Sequence, residues 1–260
     1  MKAEPQNAVG LVLRLSQLAE SDMLVDLFTS EKGRITALAK GGKRSRKRFF
    51  GLLLTGHLLE IELLPSKKGG SLWLLAGARI MQNHLGLRED FRRFMASGPV
   101  LEILLRGTPA MDPMPQVLEL AKATLARLSL AKGKAQTGSA LVVFLTRLLA
   151  LLGYRLHLSS CLVCGRPIKH NRECRLSLAG GHVCPHCRDN RFGVIVPAGL
   201  AKGLETAANL EVNALNRLSF SKAHLNPAMT FLTRFWQETL GHDLPSLGLA
   251  LRLLTRETWD

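Results

Sequence analysis

The chain has 260 residues, of which 47% are hydrophobic and 21% charged, and it carries a formal net charge of +15 at pH 7. This length suits one large domain or two or three smaller ones, each with a core of its own. The longest apolar stretch, residues 140–152, is too short for a membrane span and contains Arg147, so we expect a buried helix there.

The excess of positive charge is confined to the first three segments of the chain. Residues 1–80 contain 13 basic and 7 acidic side chains, residues 81–157 contain 10 and 5, residues 158–197 contain 6 and 2, and residues 198–260 contain 6 and 6. No basic amphipathic helix with aromatic anchors is evident, which argues against an anionic membrane surface. A nucleic acid is therefore the expected partner.

Five short runs in residues 1–80 have the composition of strands and are separated by turn-forming residues. The predicted strands are Val9–Leu15, Met23–Thr29, Arg34–Ala39, Leu52–Leu63 and Leu72–Ala78. Five strands in roughly seventy residues fit an OB-type β-barrel, a fold that offers a face for oligonucleotides.

A strongly basic run joins the third and fourth predicted strands. Six of the nine residues 40–48 are basic, namely Lys40, Lys43, Arg44, Arg46, Lys47 and Arg48, and Phe49-Phe50 follows. The cations can contact phosphates, and an adjacent aromatic ring can stack on an unpaired base. With Arg14 and Arg34 they form the predicted nucleic-acid-binding surface. The alternatives are a solvated loop for the basic run and core positions for both phenylalanines.

Beyond residue 80 the hydrophobic period becomes helical. The predicted helices are Leu85–Phe94, Val100–Leu105, Val117–Leu130, Ala140–Leu152, Ala198–Leu210, Pro227–Leu240 and Leu247–Leu254. Asp112-Pro113, Ser139 and the N-cap Asn226 are start signals, and Gly153 and Gly241 are stop signals. Ser97-Gly98-Pro99 is expected to break or kink a helix. In the last segment, Phe231, Phe235 and Trp236 either complete a core or line a groove for a protein partner.

Two CxxC pairs, Cys161-Leu-Val-Cys164 and Cys184-Pro-His-Cys187, are separated by nineteen residues. Each pair can place two sulfurs about 3.7 Å apart on a tight turn, and two pairs complete a tetrahedron around zinc with Zn–S distances of about 2.3 Å. Gly180-Gly181 predicts a turn that returns the second pair to the first. We expect one structural Zn²⁺, held by Cys161, Cys164, Cys184 and Cys187.

Other uses of these cysteines are less favoured. Two disulfides would need an oxidising destination, but residues 1–7 lack the apolar core of a signal peptide. An iron–sulfur cluster is the main alternative among metals. His186 could replace one sulfur, and Cys174 is predicted to be a free thiol. Cations in this segment could offset the negative charge of a four-thiolate zinc site: Arg166, Lys169, Arg172, Arg175 and Arg188.

No pattern in the chain indicates catalysis. The phosphate-loop, zinc-protease and nucleophile-elbow motifs are missing from the sequence. Glu60 and Glu62 share one face of a predicted strand and could hold a divalent ion, but exposed strand carboxylates are commoner. We therefore expect a binding protein and not an enzyme.

Taken together, the barrel, the basic run and the cysteine pairs resemble the RecO family of bacterial recombination mediators and DNA-repair proteins. The resemblance extends over nearly the whole chain and depends on the order of its motifs. These are Asp26-Leu-Phe-Thr29, Gly33-Arg34, Leu38-Ala-Lys40-Gly41, Leu151-Leu-Gly153, Cys161-Leu-Val-Cys164-Gly165 and Gly180-Gly181-His-Val-Cys184-Pro-His-Cys187.

The resemblance implies an α+β multidomain protein with no catalytic site. Its expected parts are an OB-fold nucleic-acid-binding domain at 1–80, a helical domain at 81–157 and 198–260, and an inserted zinc ribbon-like module at 158–197. It implies binding to single- and double-stranded DNA, strand annealing, a complex with RecR, and contact with single-stranded-DNA-binding protein so that RecA can be loaded. The expected location is the cytoplasm, at the nucleoid and not at a membrane.

Two alternatives come from other functional classes. OB folds and zinc ribbons serve RNA equally well, so an RNA-binding protein acting on ribosomes or transcripts has the same sequence features. A purely architectural adaptor would bind protein partners without measurable affinity for nucleic acid.

Overall fold

The computed structural model describes residues 4–45, 48–66, 71–168, 173–187, 193–197 and 199–255. The chain divides into two compact units. The first comprises Met1–Leu85 with Leu101–Leu125, and the second comprises Gly86–Val100 with Ala126–Asp260. The domain boundaries expected at residues 80, 157 and 197 stay a proposal.

The first unit contains a closed five-stranded barrel. Its strands are β1 (Gln6–Gln17), β2 (Met23–Thr29), β3 (Gly33–Ala39), β4 (Leu58–Pro65) and β5 (Leu72–Gln82). Around the barrel the order is β1-β2-β3-β5-β4, with β3 and β5 parallel and the other pairs antiparallel. β1 closes the sheet because its two halves pair with different strands, β4 and β2. The predicted OB-type barrel is confirmed.

The barrel core follows from alternation along the strands. In β3, Ile35, Ala37 and Ala39 are buried while the residues between them are partly exposed. Successive side chains of a strand point to opposite faces, so this period of two fills the interior and leaves the other face to solvent. The same rule places Glu60 and Glu62 outside.

β4 begins later than its hydrophobic pattern predicts. It starts at Leu58, and residues 49–57 form turns instead. Gly51 and Gly56 have positive φ values of 68° and 83°, a conformation that interrupts a strand. Leu53 still packs into the barrel core, which explains why this loop has the hydrophobicity of a strand.

The helices, in chain order, are α1 (Phe91–Gly107), α2 (Pro115–Leu130), α3 (Gly133–Leu151), α4 (Leu200–Asn209), α5 (Lys222–Leu240) and α6 (Pro245–Thr255). α3 is the centre of the second unit, where it contacts α4, α5 and α6. Residues 137–146 of α3 are all buried, as predicted for the longest apolar stretch. Among the described residues, no helix combines the length and apolarity needed to cross a bilayer.

Two of the predicted start signals, Ser139 and Asn226, do not begin a helix. α3 begins at Gly133, and Ser139 lies buried inside it, where its hydroxyl accepts a hydrogen bond from the Phe220 N–H at 2.9 Å. α5 begins after Ser221, so Asn226 is not the N-cap and Pro227 lies within the helix. Burial of long apolar faces extends both helices beyond their local start signals.

α1 also runs without a break through Ser97-Gly98-Pro99. Proline in a helix interior removes one hydrogen bond and costs about 3 kcal/mol. Ala96, Val100 and Ile103 are fully buried, and burial of this apolar stripe outweighs the local penalty.

Between α3 and α4 lies a small antiparallel sheet of β6 (Cys174–Ser177), β7 (Gly181–Val183) and β8 (Val194–Val196), with β6 in the centre. β8 contacts α5. The helices that precede and follow this sheet in sequence pack against each other. A cysteine-bearing module inserted into a helical domain is therefore confirmed.

Candidate metal centre and nucleic-acid interface

The four paired cysteines meet at one point in the second unit. Their Sγ atoms all lie within 4.8 Å of one another, and the Cys164 and Cys184 sulfurs are 3.7 Å apart. A zinc tetrahedron with bonds of about 2.3 Å requires sulfurs about 3.7 Å apart. Disulfide sulfurs would be bonded at about 2.05 Å, and all five cysteines are free. The cluster is therefore consistent with a zinc module.

Local turns present the sulfurs. In the first pair, the Gly165 N–H donates to the Cys161 carbonyl at 2.9 Å, and Gly165 adopts φ 69°. In the second pair, Pro185–Cys187 forms a 3₁₀ turn, and the Cys184 N–H donates to the Cys161 sulfur at 3.3 Å. Backbone hydrogen bonds thus hold both pairs in a shape suited to a metal ion.

The pKa values of the Cys161 and Cys187 thiols shift in opposite directions within the cluster. Burial raises the pKa of the Cys161 thiol, but hydrogen bonds from the backbone at Cys184, Cys164 and Val163 outweigh this effect and lower the pKa to about 6. Hydrogen bonds to the Cys164 and Cys184 sulfurs raise the pKa of Cys187 to about 12. Four sulfurs this close cannot all ionise unless a cation compensates their charge.

Cys174 and His186 stand apart from the cluster. Cys174 is buried on β6, and burial raises the pKa of its thiol to about 11. His186 is exposed. Among the described residues, the four cysteines are the only group of three or more potential ligand side chains close enough to share an ion. Of the cations predicted to offset the thiolates, Lys169, Arg172 and Arg188 lie outside the described residues.

The basic loop (residues 40–48) projects from the barrel. Lys40, Lys43, Arg44 and Arg48 are exposed. Arg46 and Lys47 lie outside the described residues. Three of the four exposed cations make weak surface contacts: Lys43 Nζ donates to Gln17, Arg44 pairs with Glu20 at 3.3 Å, and an Arg48 Nη donates to the Lys40 carbonyl. Exposed contacts of this kind contribute about 0–1 kcal/mol, so phosphates can replace them.

Two residues that the sequence analysis missed anchor this loop. The Asp22 carboxylate accepts a hydrogen bond from the Gly41 N–H at 2.8 Å. The Ser45 hydroxyl accepts hydrogen bonds from the Arg48 and Phe49 N–H groups, both at 3.1 Å. Asp and Ser commonly bond to backbone N–H groups in turns. Asp22 lies in the connection between β1 and β2 and Ser45 lies inside the loop, so their residue type in turn segments was the available signal.

Arg14 is held on the outer face of the barrel. Its Nε donates to the Asp26 carboxylate at 2.7 Å, and the Thr36 hydroxyl donates to the other oxygen at 2.6 Å. Asp26 is buried, whereas 59% of the Arg14 side chain stays exposed. The ion pair fixes the direction of Arg14 and leaves its guanidinium accessible.

Arg34, in contrast, is tied to its own unit. Its Nε donates to the Thr108 carbonyl at 3.2 Å, and its own carbonyl accepts the Met111 N–H at 3.0 Å. The side chain is only partly exposed. Its predicted contact with nucleic acid stays a prediction, and the hydrogen bond to Thr108 holds its side chain against the same unit.

Phe49 and Phe50 have opposite environments. Phe49 is 3% exposed and belongs to the barrel core, whereas Phe50 is 75% exposed. The core alternative therefore holds for Phe49 alone.

In the second unit, the named aromatic residues of α5 are core residues. Phe231 and Trp236 are fully buried and Phe235 is 7% exposed. They complete a core, so they do not line a surface groove.

The acidic pair on β4 is not arranged as a metal site. The Glu60 carboxylate accepts two hydrogen bonds from Arg79, at 3.1 and 2.5 Å. Glu60, Glu62 and Arg79 are among the residues that line a cavity of about 540 Å³ on the outside of the barrel. Because Arg79 already neutralises the charge of the Glu60 carboxylate, the structure agrees better with ordinary exposed carboxylates than with a divalent-ion site.

Comparison with known protein families matches both parts of the chain. A family described as "Recombination protein O N terminal" matches residues 1–84, and one described as "Recombination protein O C terminal" matches residues 88–248. The two matches leave only short segments uncovered.

Individual relatives carry the name DNA repair protein RecO. The chain is 31% identical over 233 residues to the protein of Geobacter metallireducens, covering 88% of this chain and 90% of that one. It is 26% identical over 247 residues to the protein of Desulfatibacillum aliphaticivorans, covering 94% and 95%. The match to the Syntrophobacter fumaroxidans protein is 33% identical over 160 residues and spans 62% of each chain.

Proposed function

Because the chain belongs to the recombination protein O family of DNA repair proteins, we propose that it is a recombination mediator without enzymatic activity. It binds single- and double-stranded DNA and anneals complementary strands. Together with RecR it helps to load RecA onto DNA coated by single-stranded-DNA-binding protein. The observation that carries this proposal is the set of exposed cations on a loop that is hydrogen-bonded to a closed barrel.

The mechanism is electrostatic. Complementary strands repel each other through their phosphates, and a cationic surface that neutralises several phosphates lowers this repulsion. Lys40, Lys43, Arg44 and Arg48 emerge from one loop, and Arg14 lies on the outer face of the same barrel. Contacts to phosphate leave the base edges free to pair. A mediator must also release its product, which suits moderate and steeply salt-dependent affinity.

The four-cysteine cluster supports this function structurally. We propose that it holds one zinc ion through Cys161, Cys164, Cys184 and Cys187. Four thiolates close the coordination sphere, so the metal would supply a cross-link between two chain segments and no open position for chemistry. The structural role agrees with a protein whose function is binding.

A salt titration of DNA binding tests the proposed surface. Each cation lost from the interface lowers the slope of log K against log salt by about 0.7 for a single strand. Replacing Lys43, Arg44 and Arg48 by alanine is therefore expected to reduce the slope by about 2, to weaken binding to every sequence and to slow annealing. Filter binding at several salt concentrations measures both quantities.

The matched control removes the same charge elsewhere. Lys202, Arg234 and Arg252 are exposed and lie in the neutral last segment, so their replacement by alanine should leave the slope near that of the parent. Equal slopes for the parent and the basic-loop variant would reject this surface. A similar loss in both variants would show that only total charge matters.

The RNA-binding alternative calls for a direct competition. Single-stranded DNA and RNA of the same sequence should be titrated against a labelled DNA complex, together with a test for co-purification with ribosomes. The proposal expects DNA to compete at least as well as RNA and expects no ribosome association. Preferential displacement by RNA would favour a role on ribosomes or transcripts.

A further inference from the structure

We propose that Phe50 is a stacking platform for an unpaired base, which gives the basic loop a preference for single-stranded DNA. This inference rests on the proposed DNA-binding function and adds to it a contact that carries no charge. Phe50 is the one exposed aromatic side chain among the described residues of the first unit.

The turn around Phe50 explains why its ring points outward. Phe49 fills the barrel core, and the Ser45 hydroxyl accepts its N–H at 3.1 Å. Gly51 follows Phe50 in the left-handed conformation, with φ 68°. The neighbours on both sides are therefore constrained, so the outward direction of Phe50 is built into the turn.

Most of this side chain is open to solvent. The Arg48 guanidinium lies over Phe49, 5.3 Å from the ring centroid, and donates to the Lys40 carbonyl. Phe50 remains 75% exposed. An aromatic ring on a constrained turn loses little conformational entropy when a base stacks on it.

The position beside the exposed cations identifies the ligand. Phe50 is two residues from Arg48, the last residue of the basic loop, so a strand whose phosphates contact the loop brings its bases within reach of the ring. Every base has a π-face, so stacking tolerates any sequence. Bases in a duplex are already stacked on each other, and the contact is therefore specific for unpaired bases.

Binding of the full chain to two probes of equal length tests the inference. One is single-stranded oligothymidylate, and the other is an abasic oligomer with the same phosphate backbone. Phe50→Ala is expected to weaken oligothymidylate binding about five- to tenfold, the lower part of the range measured for single base–aromatic stacks. It should leave abasic binding, the salt slope and the thermal unfolding midpoint unchanged.

Two variants serve as controls. Leu130 belongs to the second unit and is 76% exposed, so Leu130→Ala removes an equally exposed apolar side chain that is not part of the basic loop and should not alter affinity. Phe50→Leu keeps an apolar side chain without a π-face and should behave like Phe50→Ala. Recovery of affinity in Phe50→Leu, or an equal loss on the abasic probe, would overturn stacking.

The outcomes separate this inference from the function that it builds on. If the parent protein does not bind oligothymidylate at low salt, the proposed function fails. If the parent binds and Phe50→Ala binds equally well, the function stands and the stacking role is rejected.

Discussion

At the scale of single residues, two glycines with positive φ values lie at the start of β3 and just beyond its end. Gly33 begins β3 with φ 62°, and a Cβ atom at this position would lie 1.9 Å from the Asp112 carbonyl oxygen. Gly41, the second residue of the basic loop, has φ 65°, and a Cβ atom added there would meet no atom of the described residues within 4 Å. The two glycines share a backbone conformation but differ in their contacts.

This difference predicts unequal effects of alanine. Gly41→Ala incurs only the left-handed penalty of about 1 kcal/mol. Gly33→Ala incurs the same penalty and must also displace the backbone at Asp112, so we expect a loss of at least about 3 kcal/mol. Urea unfolding followed by circular dichroism measures both changes. Similar losses in the two variants would show that the chain at Asp112 moves freely.

At the scale of elements, the cysteine module is coupled to the helical core. A Cβ added to Gly180, in the turn between β6 and β7, would lie 3.7 Å from the Phe235 ring of α5, and β8 also contacts α5. The His157 N–H donates to the Gly180 carbonyl at 2.8 Å. Because α5 lies next to both β8 and the turn at Gly180, we expect distortion of the metal centre to spread to α5 and the helices packed on it.

Removal of metal ligands tests this coupling. Cys161→Ser and Cys187→Ser should each lower the zinc content below one per chain and lower the thermal midpoint, since binding of structural zinc contributes about 10–16 kcal/mol in small finger peptides. Metal analysis of the purified protein gives the content directly. Iron in place of zinc would indicate the iron–sulfur alternative.

Cys174→Ala is the control for these substitutions. Cys174 is buried but lies outside the cluster, so its loss should leave the metal content at one per chain. Unchanged zinc in a variant that lacks both Cys161 and Cys187 would contradict the proposed ligand set.

At the scale of the whole molecule, the net charge of +15 overstates the charge available to DNA. Three arginines of the second unit donate to backbone carbonyls: Arg93 to Ala131 and Ser129, Arg127 to Leu215 and Leu218, and Arg147 to Ala208. Burial lowers the pKa of Arg127. These cations hold chain segments together, whereas Lys40, Lys43, Arg44 and Arg48 of the basic loop are exposed.

The two classes of arginine should respond differently to substitution. Arg127→Met leaves two partly buried carbonyls without a donor, at about 1–3 kcal/mol each, so the unfolding midpoint should fall. The salt slope of DNA binding should stay that of the parent. Parallel thermal unfolding and filter binding test this pair of expectations, and a reduced slope would place Arg127 in the DNA interface.

The sequence alone determined the elements whose signals are local. Short runs of strand-forming residues, separated by turn-forming residues, predicted the barrel because both signals are local. The CxxC spacing predicted the metal centre because each pair lies on one tight turn, and residue composition located the basic loop. These features depend on residues close together along the chain.

Only the tertiary structure decided features that depend on distant segments. It separated Phe49 in the core from Phe50 in solvent, and Arg34 beside Thr108 from the exposed cations of the basic loop. It also placed Ser139 inside α3, where it meets Phe220. Phe49 and Phe50 are adjacent residues of the same type, so no local pattern distinguishes them. Only packing against residues far along the chain places Phe49 in the core and leaves Phe50 at the surface.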